Sequence, residues 1–130
     1  MDVAEIRTRV ASHLTEDYPP LLLSFYGENS SQSGDYVIIG NDYGTELCVC
    51  LNDGAIYSID PRGGLPIRFV NSGIEQLAGF IRAYNSQFNR EGEPETAYRE
   101  IRDEFRRIDG LALKDPENWW CCILDDPLVG

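Results

Sequence analysis

The sequence predicts a single α+β domain in which helices pack on an antiparallel sheet of about five strands. Between residues 21 and 70, five short runs rich in apolar and β-branched residues alternate with turn signals of Gly, Asn, Asp and Pro. On both sides of this region, apolar residues recur at spacings of three and four, the period of an amphipathic helix. A chain of 130 residues can bury a core without metal or disulfide support. We therefore expect residues 1–130 to form one domain.

The first helix is predicted from an apolar stripe near the amino end. It should end at Tyr18-Pro19-Pro20, because proline disfavours the helical conformation in the residue before it. Leu21 to Tyr26 is predicted as a first strand, and the Ser- and Asn-rich residues from Gly27 to Gly34 as an exposed loop. The stripe consists of Val3, Ile6, Val10 and Leu14.

Four further strands and two tight turns form the centre of the predicted sheet. Gly40 to Gly44 makes the first turn, and Asn52-Asp53-Gly54 closes a hairpin. The strands are Tyr36–Ile39, Glu46–Leu51, Ala55–Asp60 and Leu65–Val70.

A long helix is predicted after Asn71. Ser72 and Glu75 have the spacing of a capping box, in which each side chain bonds the backbone amide of the other. A third helix follows Pro94, with Asp103 and Arg107 as an i,i+4 pair on its outer face. The apolar stripe of the second helix is Ile74, Leu77, Ala78, Phe80, Ile81, Tyr84 and Phe88, and that of the third is Tyr98, Ile101, Phe105 and Ile108.

A short terminal helix is predicted from Asp115-Pro116-Glu117, with the aspartate as N-cap and proline at the first helical position. Trp119 and Trp120 then point about 100° apart. One can pack on the domain while the other stays near the surface. Closure of the core and an anchor for a partner are both open interpretations.

The charge of the chain restricts its partners. There are 11 Lys and Arg against 22 Asp and Glu, a formal net charge of -11. This field repels nucleic acid, so we expect no nucleic-acid binding, whereas association with a basic protein would be accelerated. An acidic surface that only maintains solubility is the alternative.

Residues 1–5 lack the basic and apolar regions of a signal peptide, and no apolar run approaches the roughly 20 residues needed to cross a bilayer. We therefore expect a cytoplasmic protein with no membrane partner. Its four cysteines should then be reduced.

Catalytic interpretations find little support. Asp42 and Asp53 could form a carboxylate pair, but each lies beside glycine in a turn, where aspartate is favoured for backbone reasons. The single histidine, His13, has no second histidine or plausible nucleophile to act with. The glycines form no phosphate-binding motif. We expect no catalytic residue and no cofactor.

A metal site is the remaining chemical alternative. Cys48 and Cys50 share one face of a strand, and Cys121 and Cys122 could approach them if the last helix packs on the sheet. The spacing is not the usual Cys-x-x-Cys, however, and adjacent residues on a helix diverge. We interpret the thiols as small apolar groups and expect no metal.

Several motifs, in order, resemble the SUKH superfamily, and most closely its bacterial immunity-protein branch. They are the strand and turn of Tyr36–Gly44, the strand Leu47–Leu51, Gly54-Ala55-Ile56-Tyr57, Phe69-Val70-Asn71-Ser72 before a helix, and Ile108–Leu113 followed by Asp115 and a tryptophan. The resemblance covers about residues 20–126. Gly73 departs from it, because a second serine is commoner there.

The resemblance implies a SUKH-like α+β domain that is not an enzyme. Such proteins neutralise polymorphic toxins, often nucleases or nucleic-acid deaminases, by stoichiometric binding. It therefore implies a cognate toxin domain as partner, one that is basic if it acts on nucleic acid. A regulatory or adaptor module without a toxin is the alternative, and self-association is not predicted either way.

The predicted partner-binding residues are acidic and aromatic groups at turns and strand ends. If the helices cover one face of the sheet, these groups can be presented together to a partner. Solvated turns are the alternative for each of them. The set is Asp42, Tyr43, Glu46, Asp53, Tyr57 and Asp60.

Overall fold

An antiparallel sheet with helices packed on one face forms the domain, as the sequence predicted. The computed structural model describes residues 2–14, 21–88 and 94–125, with the side chains of residues 87, 88, 94 and 95 excluded. Within these residues the strands are β1 (Ser24–Phe25), β2 (Ser31–Ser33), β3 (Tyr36–Asn41), β4 (Glu46–Cys50), β5 (Ile56–Ile59) and β6 (Arg68–Asn71), and the helices are α1 (Val3–His13), α2 (Ile74–Phe88), α3 (Pro94–Asp109) and α4 (Trp119–Asp125).

The strand order is β1-β3-β4-β5-β6, and β2 also pairs with β3, next to β1. Gly40 allows β1 to approach. A Cβ atom at this position would lie 2.3 Å from the carbonyl oxygen of Ser24 and 2.8 Å from Cδ1 of Phe25. A register shift between Ile38 and Gly40 accompanies this close contact. The glycine assigned to the first turn is therefore part of β3.

The core lies between one face of the sheet and the helices. Ring stacking of Phe80 on Phe105, with centroids 3.8 Å apart, forms its centre, and Trp120 packs against both rings. The sheet contributes alternate residues, because successive side chains of a strand point to opposite faces. These residues are Val37, Ile39, Leu47, Val49 and Ile56, all fully buried.

A buried polar network joins the start of α2 to the end of α3. Asp109 accepts hydrogen bonds from the amide of Ser72 (2.8 Å), the Ser72 hydroxyl (2.8 Å) and Nδ2 of Asn71 (3.1 Å). Asn71 Oδ1 in turn accepts from Nε1 of Trp120 (2.8 Å). The predicted capping box is wrong, since Ser72 bonds Asp109 and the Glu75 carboxylate lies 3.4 Å from Arg9.

Some predicted boundaries are also wrong. The stretch predicted as an exposed loop at 27–34 contains a 3₁₀ turn, Gly27–Asn29, and the strand β2. Asp115 caps a separate turn by accepting from the amide of Glu117, so α4 begins only at Trp119. On α3, Arg107 pairs with Glu104 and Asp103 with Arg106, at i,i+3 spacing, in place of the predicted pair.

Both tryptophans are buried, so the expectation that one remains near the surface is wrong. Trp119 is 4% exposed and Trp120 is 0% exposed, with their rings edge to face at 4.8 Å. The terminal helix therefore closes the core. No helix among the described residues is long and apolar enough to cross a membrane.

Candidate protein-binding face

The side of the sheet opposite the helices carries a second set of apolar side chains, which we call the open face. Residues directly opposite each other in antiparallel strands share a face. Tyr36 is opposite Cys50, Ile38 opposite Cys48, Cys48 opposite Tyr57, Tyr57 opposite Phe69, and Glu46 opposite Ile59. The open face is therefore made of Tyr36, Ile38, Glu46, Cys48, Cys50, Tyr57, Ile59 and Phe69.

Helices leave the centre of this face uncovered in the part of the chain that the structure describes. The hydrophobic cluster that unites sheet and helices contains neither Tyr36, Ile38, Tyr57 nor Ile59, and all four are half-buried. Phe69 alone on this face also touches the cluster, at the edge formed by β6. The open face is thus an apolar surface about four strands wide.

Three aromatic rings form a row across it. Tyr36 and Tyr57 meet edge to face with centroids 6.2 Å apart, and Tyr57 and Phe69 do so at 5.8 Å. This geometry places the positive edge of one ring against the negative face of the next. The row is held by its own packing as well as by the strands.

The two cysteines of β4 fill the space beneath the larger side chains. Cys48 is 3% exposed and Cys50 is 8% exposed. Burial, with a smaller contribution from the Glu46 carboxylate, raises the pKa of the Cys48 thiol to about 12. Such a thiol is protonated at neutral pH and behaves as a small apolar group. No cluster of three or more His, Cys, Asp or Glu capable of holding a metal occurs among the described residues.

Asp53 belongs both to a turn and to the open face. Its Oδ1 accepts from the amide of Ala55 at 2.9 Å, the turn role expected from the sequence, and its Oδ2 accepts from the Tyr57 hydroxyl at 3.1 Å. Burial and then this hydrogen bond raise the pKa of Tyr57. The pKa of Tyr36 is also raised, first by burial and also by the negative charges of Asp53 and Asp35.

Asp42 has the turn role expected from the sequence and one further contact that the sequence did not predict. Its carboxylate accepts from the amides of Gly44 (2.9 Å) and Thr45 (2.6 Å), and its Oδ2 accepts from Nε1 of Trp119 at 2.9 Å. It therefore fastens the β3–β4 turn to α4, in the helical layer. Tyr43, at the tip of that turn, is 74% exposed with a φ of 67°.

Asp60 and Glu46 complete the predicted set. Asp60 accepts from the amides of Arg62, Gly64 and Leu65, which lower its pKa, with the largest effect from Arg62. Glu46 lies on the open face at the start of β4 and, within the described residues, its carboxylate makes no hydrogen bond or ion pair.

Five of the six predicted residues lie at two ends of the sheet, and Tyr57 lies between them, opposite Cys48. Asn41, Glu46 and Ile59 are register partners, so Asp42, Tyr43, Glu46 and Asp60 lie at one end. Asp53 lies beyond Cys50 at the other end, at least roughly 14 Å away along β4 at the rise of a strand. Asp42 and Asp53 therefore do not form the carboxylate pair considered above.

The charged residues of the segment from β2 to β5 have one sign. Residues 31–60, which form β2 to β5 and their turns, contain no Lys, Arg or His. On α3, by contrast, acidic and basic residues alternate and pair with one another. The acidic residues of the segment are Asp35, Asp42, Glu46, Asp53 and Asp60.

Sequence reasoning missed the apolar part of the open face, Tyr36, Ile38, Ile59 and Phe69. A signal for it was present. In Tyr36-Val37-Ile38-Ile39 the residues that point to either face of the strand are apolar, although helices cover only one side of the sheet.

A shallow groove of about 390 Å³ lies next to the β6 edge of the open face. It is lined by Phe69 and Leu111, and Leu111 is 55% exposed.

Comparison with known proteins gives one match. A family profile described as SUKH-4 immunity protein matches residues 13–126, a span that contains every strand and α2 to α4. No curated protein and no solved structure matches the chain. The match agrees with the resemblance drawn from the strand and turn motifs.

Proposed function

The chain belongs to the SUKH-4 immunity protein family, and on that premise we propose that it neutralises a cognate bacterial toxin by forming a stoichiometric complex with it. The family match carries this proposal. Membership in an immunity family implies a protein partner, a toxin. The finer statements below concern the mode of action, the kind of toxin and the contact residues.

We propose that the protein acts by binding and catalyses no reaction. The acidic residues that could have served as general acids or bases have backbone or packing roles, since Asp42, Asp53 and Asp60 each accept from main-chain amides. His13 lies on α1 with its Nε2 3.8 Å from Glu75, away from these carboxylates in sequence and on the helical layer. Neutralisation by occupying the toxin needs no cofactor and no metal.

The toxin is, in this proposal, a nuclease or nucleic-acid deaminase. An enzyme that acts on nucleic acid carries a basic substrate channel. A protein with a net charge of -11 can occupy such a channel while its field accelerates the encounter. The complex would form in the cytoplasm of the producing cell, without contact to nucleic acid or membrane.

Four of the predicted residues remain candidates for direct contact: Glu46, Asp53, Tyr57 and Tyr43. Asp42 supports the complex indirectly by holding the turn that presents Tyr43. Asp60 contributes charge, while its carboxylate holds the 60–65 loop.

A co-expression assay tests the function. Cells that produce the toxin encoded beside this gene should survive when the chain is expressed and die when it is replaced by an unrelated acidic protein of similar size. Isothermal titration of the purified proteins should give a fixed stoichiometry. Cell death in the presence of well-folded chain, together with no detectable binding, would refute the proposal and leave the adaptor interpretation.

A further inference from the structure

We propose that the open face is the centre of the toxin interface, and that it receives a basic surface whose arginine side chains lie over the rings of Tyr36 and Tyr57. This inference rests on the proposed function and adds to it the contact surface and the chemistry of the group it accepts. Three features support this surface: the apolar area that no described helix covers, the row of rings, and the acidic groups beside them.

No described helix covers the apolar residues at the centre of the open face. A soluble domain rarely leaves a contiguous apolar patch uncovered unless it binds something. Tyr36 and Ile38 of β3 and Tyr57 and Ile59 of β5 lie on either side of Cys48 and Cys50 of β4, and within the described residues none of the four belongs to the cluster packed by the helices. Tyrosine is among the residue types that contribute most at protein interfaces.

Each end of the open face carries an acidic residue. Asp35 is exposed in the β2–β3 turn at the Tyr36 end of the face, and Glu46 lies at the Ile59 end. Within the described part of the chain, neither carboxylate has a hydrogen-bond or ion-pair partner. Residues 31–60 contain no basic residue, and the nearest one that follows them in sequence is Arg62. Both carboxylates can therefore pair with positive charge that a partner supplies.

Arginine is the side chain that fits this combination of aromatic rings and carboxylates. An arginine side chain stacks its guanidinium on an aromatic face and bonds a carboxylate with its remaining donors. The Tyr36–Tyr57 pair, with Asp53 bonded to the Tyr57 hydroxyl at 3.1 Å and Asp35 near Tyr36, offers both features. Two copies of this chain would instead bring two acidic faces together, so charge disfavours a homodimer through this surface.

The test compares two matched double variants. Asp35→Asn with Glu46→Gln removes two charges from the ends of the open face without changing side-chain size. Glu28→Gln with Asp103→Asn removes two charges from exposed positions in the 3₁₀ turn against α1 and on α3. The two variants have the same net charge, so a difference between their association rates depends on where the charges were removed.

Association of each variant with the purified toxin domain is followed by stopped-flow fluorescence at low and high salt. We expect the open-face pair to slow association about tenfold at low salt, with little difference at high salt, and the control pair to slow it less than about twofold. Equal association rates for the two variants would overturn the proposed surface.

A second arm examines the rings. Tyr36→Ala should raise the Kd by at least about 30-fold, the range of interface hot spots, whereas Tyr98→Ala on α3 should leave it within about threefold. Circular dichroism verifies that each is folded. Should Tyr36→Ala not fold, the charge variants still decide the matter.

The remaining outcomes separate the two proposals. If the unaltered chain does not bind the toxin, the proposed function fails. If it binds and all variants bind equally well, only the open face is refuted. Concentration-dependent dimerisation that Tyr36→Ala abolishes would assign the face to a second copy. Tighter toxin binding by a chain lacking residues 126–130 would assign it to those residues, and both results overturn the proposal.

Discussion

Replacement of Asp109 by alanine should destabilise the protein far more than the same change elsewhere on α3. Asp109 is 7% exposed and accepts three hydrogen bonds, two from Ser72 and one from Asn71. Its loss leaves Nδ2 of buried Asn71 and the amide of half-buried Ser72 without acceptors, at about 1–3 kcal/mol each. The Ser72 hydroxyl can rotate to another acceptor, so the expected loss in free energy of unfolding is about 2–5 kcal/mol.

Urea denaturation measured by tryptophan fluorescence provides the assay, because Trp120 is bonded to the same network through Asn71. With a dependence on urea of about 1.5 kcal/mol per M, the midpoint should fall by roughly 1.5–3 M. Asp103→Ala is the matched control. Its carboxylate is largely exposed and pairs only with exposed Arg106, an interaction worth less than about 1 kcal/mol.

Two outcomes are decisive for this reasoning. Asp109→Asn retains one acceptor oxygen and should fall between the unaltered protein and Asp109→Ala. A midpoint for Asp109→Ala within about 0.5 M of that for Asp103→Ala would refute the assignment of Asp109 as the residue that joins β6, α2 and α3.

Three further results are expected. Gly40→Ala should lower the free energy of unfolding by about 1–3 kcal/mol, since its Cβ would lie 2.3 Å from the carbonyl oxygen of Ser24. A thermal melt unchanged from that of Gly110→Ala, where an added Cβ would meet open space, would contradict this. In the native protein a thiol reagent should label exposed Cys122 first and Cys48, with its pKa of about 12, last, as detected by mass spectrometry. Early labelling of Cys48 would show that the open face is not packed as described. An NMR titration should give Asp60 a pKa below its ordinary value of 3.8, so that its stabilising contribution is complete above that pH and is lost as pH falls through the lowered pKa; a pKa at or above 3.8 would disprove the three amide contacts.

Local sequence signals predicted the elements well. The spacing of Ile74, Leu77 and Ile81 identified α2, and Asn52-Asp53-Gly54 identified a hairpin in which Asp53 does accept a main-chain amide. These features depend on residues close together in the chain. The helical repeat determines the spacing of apolar residues, and the conformational preferences of Asn, Asp and Gly determine the turn. The family was also recognisable, because its motifs are such local signals in a fixed order.

Partners distant in sequence were not predicted correctly. Ser72 has the spacing of a capping box with Glu75, yet both groups are engaged elsewhere, by Asp109 and Arg9. Asp42 has the sequence of a turn aspartate, which it is, but its bond to Trp119, 77 residues away, is visible only in the folded chain. A local pattern indicates which partners a polar group can bond. The fold decides which of those partners lies within hydrogen-bonding distance.

The sequence by itself determined an acidic α+β domain, the order of its helices and of the described strands other than β2, its turn residues and its family. Only the tertiary structure decided which face of the sheet the helices cover, and therefore which of two apolar sets becomes core. Val37 and Ile38 are adjacent and equally apolar, but Val37 is fully buried under the helices and Ile38 lies half-buried on the open face. That difference depends on how the helices pack against the sheet, which the alternation of side chains along a strand does not specify.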